Sequence, residues 1–191
     1  MFGDSTLTEP LEPIVRRAGF KPVEVDYTLG SLPSAFEDAE KAAWRYRDRT
    51  IYAYGESAGG TMAGWLASQR MVTAAAGNST VVNIHAFLRP LLNSTEVITL
   101  PQGETKTVGE FILEAAGGMS FIRSHTLQRL HGAPLRLFGN CDDAVAPCET
   151  SMAYAARFPS VTWRLAGSGH LAESKQTARR AMDWFAEIGR R

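Results

Sequence analysis

The strongest structural pattern in the sequence is Thr50-Ile-Tyr-Ala-Tyr-Gly-Glu-Ser57-Ala-Gly-Gly-Thr-Met-Ala-Gly-Trp-Leu-Ala67. Residues 50–54 are β-branched, aromatic or alanine, a composition typical of a strand. A glycine-rich turn follows, and then an alanine- and leucine-containing run of the kind found in helices. The turn has the pattern G-x-S-x-G from Gly55 to Gly59. This pattern between a strand and a helix predicts that Ser57 lies on a sharp strand-to-helix turn.

A serine on such a turn is a candidate nucleophile. The strained backbone projects the hydroxyl above the sheet edge, and Gly55 and Gly59 are expected to leave room for the neighbouring strand and helix. The helix N-terminus behind Ser57 supplies free N–H groups and a partial positive charge where a negative oxygen develops. The alternative is a glycine-rich turn that contains a serine by chance.

The composition indicates one globular domain, residues 1–191. Hydrophobic residues make up 45% and charged residues 21% of the chain, which is sufficient for a sizeable core. Lys+Arg and Asp+Glu each number 20, so no net charge attracts nucleic acid or an anionic membrane. No apolar run reaches the length of a membrane span, and the first residues do not have the pattern of a signal peptide. A cytoplasmic location is therefore expected.

The two cysteines, Cys141 and Cys148, are too few for a disulfide scaffold. They are expected to be packing residues or an incidental pair of thiols. A metal site that combines them with Asp142 and Asp143 would need a C-x-x-C motif to support it, and the sequence has none. Neither a metal nor a cofactor is expected.

Helix and strand patterns alternate along the chain. Helices are predicted at residues 11–19, 34–47, 58–71 and 172–188, the second with Ser34 as N-cap and Glu37 completing a capping box. Strands are predicted at residues 23–27, 50–54, 81–86, 135–138 and 161–165. This alternation indicates an α/β fold with a mostly parallel, twisted sheet flanked by helices.

One segment, residues 88–133, interrupts the alternation. Val108, Phe111, Ile112 and Ala115 follow helical spacing, and a second helix is predicted at residues 121–130. A segment of this length is not expected to be bare loop. Two interpretations stay open: helices that pack on the core, or a helical lid that lines an apolar acyl pocket.

Four histidines are candidates for the base that a serine nucleophile needs. His170 lies in Gly167-Ser-Gly-His-Leu171, directly after the last strand, where parallel strands place their chemistry. His85 falls in a predicted buried strand and is expected to be a core residue. His125 and His131 lie in segment 88–133 and are expected at its surface. His170 is therefore the favoured base.

The acid that orients the base is expected after the preceding strand, in Leu137-Phe-Gly-Asn-Cys-Asp142-Asp143-Ala-Val-Ala-Pro147. Asp142 or Asp143 would hold the imidazole there, and the alternative is that both aspartates are turn formers. The chain order of serine, aspartate and histidine differs from the orders of the chymotrypsin and subtilisin types.

These motifs together resemble the α/β-hydrolase superfamily, and most of all its hormone-sensitive-lipase-like esterases. The stretch Gly55-Glu-Ser-Ala-Gly-Gly60 is similar to the nucleophile block G-D/E-S-A-G-G, and Val25-Asp-Tyr-Thr-Leu29 is similar to V-D-Y-R-L. The motif G-x-x-D-x-x-V fits Gly139-Asn-Cys-Asp142-Asp-Ala-Val145, which selects Asp142 over Asp143, and G-x-x-H fits Gly167-Ser-Gly-His170. The similarity covers residues from about 10 to the end, without segment 88–133.

The resemblance implies a serine hydrolase that cleaves an acyl ester or thioester through an acyl-enzyme, with Ser57, His170 and Asp142 as the triad. The partner is then a small acyl substrate, free or carrier-bound. One oxyanion donor is expected at the N–H of Ala58. Substrate contacts are expected from Gly3, Glu56, Phe111 and Phe121.

The beginning of the chain departs from the family pattern. Family members carry an H-G-G-G block whose N–H groups complete the oxyanion hole, and this chain starts at about that position with Met-Phe-Gly3-Asp4-Ser5. The second oxyanion donor is therefore assigned to Asp4, in the slot after Gly3. The sheet is expected to lack the usual first strands, either in a minimal hydrolase or because the start is trimmed.

Two other functions stay open. Phe2-Gly3-Asp4-Ser5 resembles the opening block of GDS(L)-type hydrolases, which would make Ser5 the nucleophile. That family needs a D-x-x-H pair, however, and the residue three positions before His170 is Gly167. The second alternative is a catalytically impaired hydrolase fold that acts as a ligand-binding or interaction module. The three triad residue types argue against such a module, and the short N-terminus argues for it.

Overall fold

In the described residues, four parallel strands form the central sheet. Their spatial order is β1 (Tyr52–Glu56), β2 (Ala74–Asn78), β5 (Leu135–Gly139) and β6 (Val161–Leu165). A second, antiparallel sheet consists of β3 (Val97–Thr99) and β4 (Thr105–Thr107). The protein is represented by a computed structural model that describes residues 11–28, 30–125, 127, 132–167, 169–171 and 173–190.

Helices cover both faces of the central sheet. In the described ranges they are α1 (Glu12–Arg17), α2 (Leu32–Arg45), α3 (Ala58–Ser68), α4 (Ile84–Leu92), α5 (Val108–Ala115), α6 (Gly118–His125), α7 (Cys148–Arg157) and α8 (Ser174–Gly189). Side chains alternate between the two faces of each strand, so each strand contributes to two cores. The helices α1 and α8 pack on the face of Ala74, Ala76 and Phe138. The helices α2, α3 and α6 pack on the face of Ala75 and Leu137.

The predicted α/β fold with a parallel sheet flanked by helices is confirmed. Strand β6 has the predicted bounds, and β1 and β5 overlap the predicted strands. Helices α1, α3 and α8 also fall where the sequence places helices. The N-cap of helix α2 lies three residues before the predicted one, because the hydroxyl of Ser31, and not that of Ser34, accepts a backbone N–H of the first turn. The capping box predicted for Ser34 and Glu37 is therefore wrong.

The strand predicted at residues 81–86 is wrong. The second strand of the sheet is instead β2, with the sequence Ala-Ala-Ala-Gly-Asn, and helix α4 begins at Ile84. Strand β2 has no β-branched residue, but it is fully buried between β1 and β5. Helix α4 starts where it does because the side chain of Asn83 accepts the N–H of Ala86 at 2.9 Å.

Two further elements differ from the prediction. Residues 23–27 are not a strand, and no strand of the described residues pairs with them. Helix α7, between β5 and β6, is absent from the prediction because its first residues follow a turn rich in aspartate and proline. This helix completes the crossover that two neighbouring parallel strands require.

Segment 88–133 contains α5 and α6, close to the two predicted helices, and the unpredicted β3–β4 hairpin. Helix α6 packs on the main core: Ile122 is fully buried, and the Phe121 ring contacts Phe36 of α2 edge-on. Helix α5 is more exposed, and its one buried residue is Gly109. Core packing is thus observed for α6, and the lid stays a prediction.

Among the described helices, none has the length and apolar character to cross a membrane.

Candidate active site

Ser57 lies at the junction of β1 and α3, on the predicted strand-to-helix turn. Its φ of 51° and ψ of −118° lie outside the usual regions for a residue with a side chain. Such a backbone persists only where neighbours fix it. Here the N–H of Ser57 donates to the carbonyl of Asn78 at 2.8 Å, at the end of the adjacent strand β2.

Two glycines allow the turn to pack tightly. A Cβ atom on Gly55 would collide with the carbonyl of Gly59, and one on Gly60 would collide with the hydroxyl of Thr80. A Cβ on Gly59 would meet nothing within 4 Å. The predicted close approach is therefore present at Gly55, but the second close approach is at Gly60 and not at Gly59.

Asp143, and not Asp142, contacts the imidazole of His170. Nδ1 of His170 lies 2.9 Å from Oδ2 and 3.0 Å from Oδ1 of Asp143. The Asp143 side chain is fully buried, whereas the His170 side chain is 27% exposed. An Nδ1–H that donates to this carboxylate leaves Nε2 as the basic nitrogen. The pair thus has the arrangement of a base and its orienting acid.

The predicted selection of Asp142 as the orienting acid is wrong by one residue. The Asp142 carboxylate is exposed and accepts the backbone N–H of Gly169 at 2.7 Å. Asp143 is turned inward because Oδ1 also accepts the N–H groups of Val145 and Ala146, at 2.9 and 2.8 Å. These two bonds fold the loop around Asp143, a local geometry that the motif G-x-x-D does not specify.

The hydrogen bonds to Asp143 keep it ionised. Burial alone raises the pKa of this carboxyl group. The bonds donated by Ala146 N–H, His170, the Ser79 hydroxyl and Val145 N–H outweigh burial, and the pKa of Asp143 is lowered below its ordinary value. Asp143 is therefore a carboxylate at neutral pH, as an acid that stabilises an imidazolium must be.

Ser79 lies beside the Asp143–His170 pair, although no pattern in the sequence points to it. Its Oγ accepts the N–H of Leu171 at 3.3 Å, and its hydroxyl helps to lower the pKa of Asp143. Its side chain is buried, and its φ of 49° is again left-handed. It was missed because the strand was predicted at residues 81–86. With β2 ending at Asn78, Ser79 is the first residue past the carboxyl end of a central strand, a position that favours site residues.

These bonds place Ser57 and His170 at the same edge of the sheet. Ser57 is bonded to Asn78, and the next residue, Ser79, is bonded to the neighbour of His170. The hydrogen bonds of the described residues include none between the Ser57 hydroxyl and His170. Catalytic hydrogen bonds are often long without a substrate and shorten when it binds.

The remaining predicted site residues have different environments. Ala58 is the first residue of α3, where N–H groups have no carbonyl one turn earlier. Gly3, Asp4 and Ser5 lie outside the described residues. Phe111 is 39% exposed on α5. Phe121 stacks on His125 with 3.7 Å between ring centroids, so it serves packing between α6 and the core.

Glu56 is held by the protein interior. Its Oε1 accepts the hydroxyl of Tyr54 at 2.8 Å and an amide N–H of Asn78 at 3.4 Å, and Oε2 is buried without a partner. Burial, and then the charge of Glu56, raise the pKa of Tyr54 well above its ordinary value. These contacts are all within the protein and do not test whether Glu56 touches a substrate, so that contact stays a prediction.

The other histidines differ from expectation in part. His85 lies on helix α4 and is half-buried, so its assignment to a buried strand is wrong. His125 is half-buried between Phe121 and Trp65, and this burial lowers its pKa. It is thus a packing residue and not a surface one. His131 lies outside the described residues.

Cys141 and Cys148 form a disulfide that closes the loop containing both aspartates, with 4.8 Å between their Cα atoms. Neither is the free thiol that was expected, and neither is available as a thiolate metal ligand. No group of three or more metal-binding side chains occurs in the described part of the chain. Disulfides are typical of oxidising compartments, so the cytoplasmic location stays a prediction.

Solved hydrolases are similar in structure to this chain. An acetyl ester-xyloside bifunctional hydrolase from Caldicellulosiruptor lactoaceticus superposes with a TM-score of 0.69 at 16% identity, covering 95% of this chain and 76% of the other. Alpha/beta hydrolase domain-containing protein 10 from mouse superposes with a TM-score of 0.67 at 18% identity, covering 94% of this chain and 82% of the other. Esterase 2 from Thermogutta terrifontis, phosphoramylated by tabun, superposes with a TM-score of 0.60 at 18% identity, covering 86% of this chain and 70% of the other.

At these identities the likeness shows the fold, which is that of the α/β-hydrolases. No protein-family model matches the sequence, and no curated protein sequence matches it.

Proposed function

We propose that the protein is a serine hydrolase that cleaves acyl esters or thioesters through an acyl-enzyme. The observation that supports this most directly is the contact between the buried Asp143 and His170 at the sheet edge where Ser57 has a positive φ. The structurally similar proteins include hydrolases and esterases, and one of those esterases is modified by an organophosphate. The motifs further favour the hormone-sensitive-lipase-like branch.

In the proposed mechanism Ser57 Oγ attacks the acyl carbonyl carbon while Nε2 of His170 takes the hydroxyl proton. The carbonyl oxygen becomes an oxyanion, which the N–H of Ala58 at the start of α3 stabilises together with the helix dipole. Asp143 stabilises the imidazolium. The intermediate collapses, the C–O or C–S bond breaks, and the leaving group takes the proton from His170. This step leaves the acyl group on Ser57.

Water completes the cycle. His170 removes a proton from the water as its oxygen attacks the acyl-enzyme, and the second tetrahedral intermediate releases the acid and restores the Ser57 hydroxyl. Asp4, the proposed second oxyanion donor, lies outside the described residues. Losing one such donor costs about 10²–10³ in kcat, so its presence decides the turnover rate.

The acyl group is proposed to be apolar and of medium length. Exposed apolar side chains of segment 88–133 and the preceding turns of α4 support this: Phe87, Leu91, Val97 and Phe111. Ile122 of the same segment is fully buried and contributes to the core instead. The proposed substrate is a small molecule that carries this acyl group, either free or bound to a carrier.

The experiment is turnover of p-nitrophenyl esters of graded chain length and one thioester analogue. A burst of p-nitrophenol equal to the enzyme concentration, followed by slower steady turnover, is expected because acylation precedes hydrolysis. Ser57→Ala should lower kcat by about four to six orders of magnitude, and Ser5→Ala should leave it unchanged. Loss of turnover in Ser5→Ala would support the GDS(L)-type alternative. A folded wild-type protein without turnover would favour the binding module.

A further inference from the structure

The loop that carries His170 has an unusual backbone. Gly169, Leu171 and Glu173 all have left-handed φ angles, of 77°, 58° and 57°. Glycine adopts this conformation freely, but Leu171 and Glu173 do so only where the surroundings fix the chain. Contacts with other parts of the protein must therefore fix the loop backbone on at least one side of His170.

Three hydrogen bonds hold the backbone on both sides of His170. Before it, Asp142 accepts the N–H of Gly169 at 2.7 Å, and the Asn140 side-chain amide donates to the Gly169 carbonyl. After it, Ser79 accepts the N–H of Leu171 at 3.3 Å. Both polar groups of the Gly169 backbone are thus bound by a single loop, the one that follows β5.

That same loop also binds the ring of His170 through Asp143. Asn140 and Asp142 fix where the backbone of the histidine loop lies, and Asp143 fixes how the imidazole points. Asp142 and Asp143 are adjacent and therefore cannot move independently of each other. The disulfide between Cys141 and Cys148 closes the loop around both.

From this arrangement we propose that Asp142 is a positioning residue for His170, acting as a hydrogen-bond acceptor for the Gly169 N–H. This inference rests on the proposed function and extends it, because it gives a role to the second aspartate of the pair. Asp142 does not contact the imidazole itself; it keeps the base within reach of Ser57 by holding the loop. Displacement of a catalytic group by about 1 Å can cost about 10²-fold in rate.

Asp142 is a better residue to test than Asn140. Asp142 is exposed, so its substitution leaves the core intact. Asn140 is fully buried and its Oδ1 has no partner, so its loss would disturb packing as well as the loop. Asp142 also offers a conservative change, since asparagine keeps an oxygen acceptor and removes only the charge.

The experiment compares Asp142→Ala, Asp142→Asn and the wild type on the best p-nitrophenyl ester. Asp142→Ala should lower kcat about 10- to 100-fold with little change in KM, because the base is displaced while the substrate site is untouched. Asp142→Asn should stay within about threefold of the wild type, since it restores the acceptor. Asp48→Ala, at an exposed aspartate after α2, is the matched control and should leave kcat unchanged.

Amide hydrogen exchange at Gly169, followed by NMR, gives a readout independent of catalysis. Exchange should be faster in Asp142→Ala and close to the wild-type rate in Asp142→Asn. Wild-type kcat in Asp142→Ala, or equal losses in both variants, would overturn the positioning role. Absence of turnover in the wild type would reject the proposed function instead, and unchanged Gly169 exchange in Asp142→Ala would then reject the inference separately.

Discussion

The carboxylate of Asp143 lies 2.9 Å from Nδ1 of His170, and its side chain is fully buried. Asp142, one residue earlier, is exposed and bonds to the backbone of Gly169. Two adjacent carboxylates therefore have separate environments and separate predicted roles. In the proposed mechanism Asp143, and not Asp142, is therefore the acid that orients His170.

Asp143→Asn should abolish most activity. The asparagine side chain fits the same space, but its amide donates to Nδ1 and so favours the wrong tautomer of His170. A loss of about 10⁴ in kcat is expected, as for a triad whose acid is replaced by its amide. Steady-state kinetics measure this. Asp142→Asn serves as the control, and a larger loss there than in Asp143→Asn would contradict the assignment.

The two glycines that frame the serine motif should respond in opposite ways to alanine. Gly55→Ala should destabilise the protein by about 1–3 kcal/mol, because its Cβ collides with the carbonyl of Gly59. Gly59→Ala should be neutral, or stabilising by up to about 1 kcal/mol, because the new methyl group meets open space on a helix. Urea denaturation of both variants measures these changes. Equal destabilisation by Gly55→Ala and Gly59→Ala would contradict the close packing at Gly55 and the open space at Gly59.

Reduction of the Cys141–Cys148 disulfide should weaken both stability and activity. On the chain-entropy model, closing a loop of this size contributes about 2–3 kcal/mol. Such a change corresponds to a Tm lower by about 5–10 °C in a domain of this length. The reduced loop should also hold Asp143 less firmly, which lowers kcat. Thermal melting and turnover are measured with and without a phosphine reductant.

The control for reduction is the double variant Cys141→Ala/Cys148→Ala, whose Tm should not depend on the reductant. Thiol titration establishes that the wild-type disulfide has been reduced. A wild-type protein that is fully reduced and yet has an unchanged Tm and kcat would show that the disulfide does not support the loop.

Acid should weaken the protein through Asp143. The folded pKa of this group is lowered below its unfolded value, so the ionised form stabilises the fold. The stabilisation is complete above the unfolded pKa, about 3.9, and is lost as the pH falls through the folded pKa. The difference in unfolding free energy between wild type and Asp143→Asn should therefore narrow from pH 5 to pH 3. A difference that widens over this range would contradict the sign of the shift.

The sequence predicts the parts of the fold that have a strong local pattern. Val161–Leu165 contains β-branched and aromatic residues and has the predicted bounds, and the strand-to-helix turn at Ser57 follows from its glycines and flanking composition. Strand β2 could not be predicted, because alanine and glycine carry no strand preference and its pairing depends on β1 and β5. Because the end of β2 could not be predicted, neither could the position of Ser79 directly after it.

The sequence predicts which loops of the candidate site meet at the sheet edge, but not which aspartate contacts His170. Serine, histidine and the acid loop follow the carboxyl ends of parallel strands, which topology brings together. The choice between Asp142 and Asp143 depends on which side chain turns inward. That direction is set by the N–H groups of Val145 and Ala146, a loop geometry that no residue pattern specifies.

Reaction with a fluorophosphonate, followed by intact-mass analysis and peptide mapping, shows whether Ser57 is a nucleophile activated by His170 and Asp143. A serine reacts quickly with this class of probe only when an adjacent base activates its hydroxyl. The wild type should take up one equivalent on Ser57, and His170→Ala and Asp143→Asn should react far more slowly while staying folded. Labelling on another residue, or no labelling of folded wild-type protein, would contradict the assignment of Ser57, His170 and Asp143 as a catalytic triad.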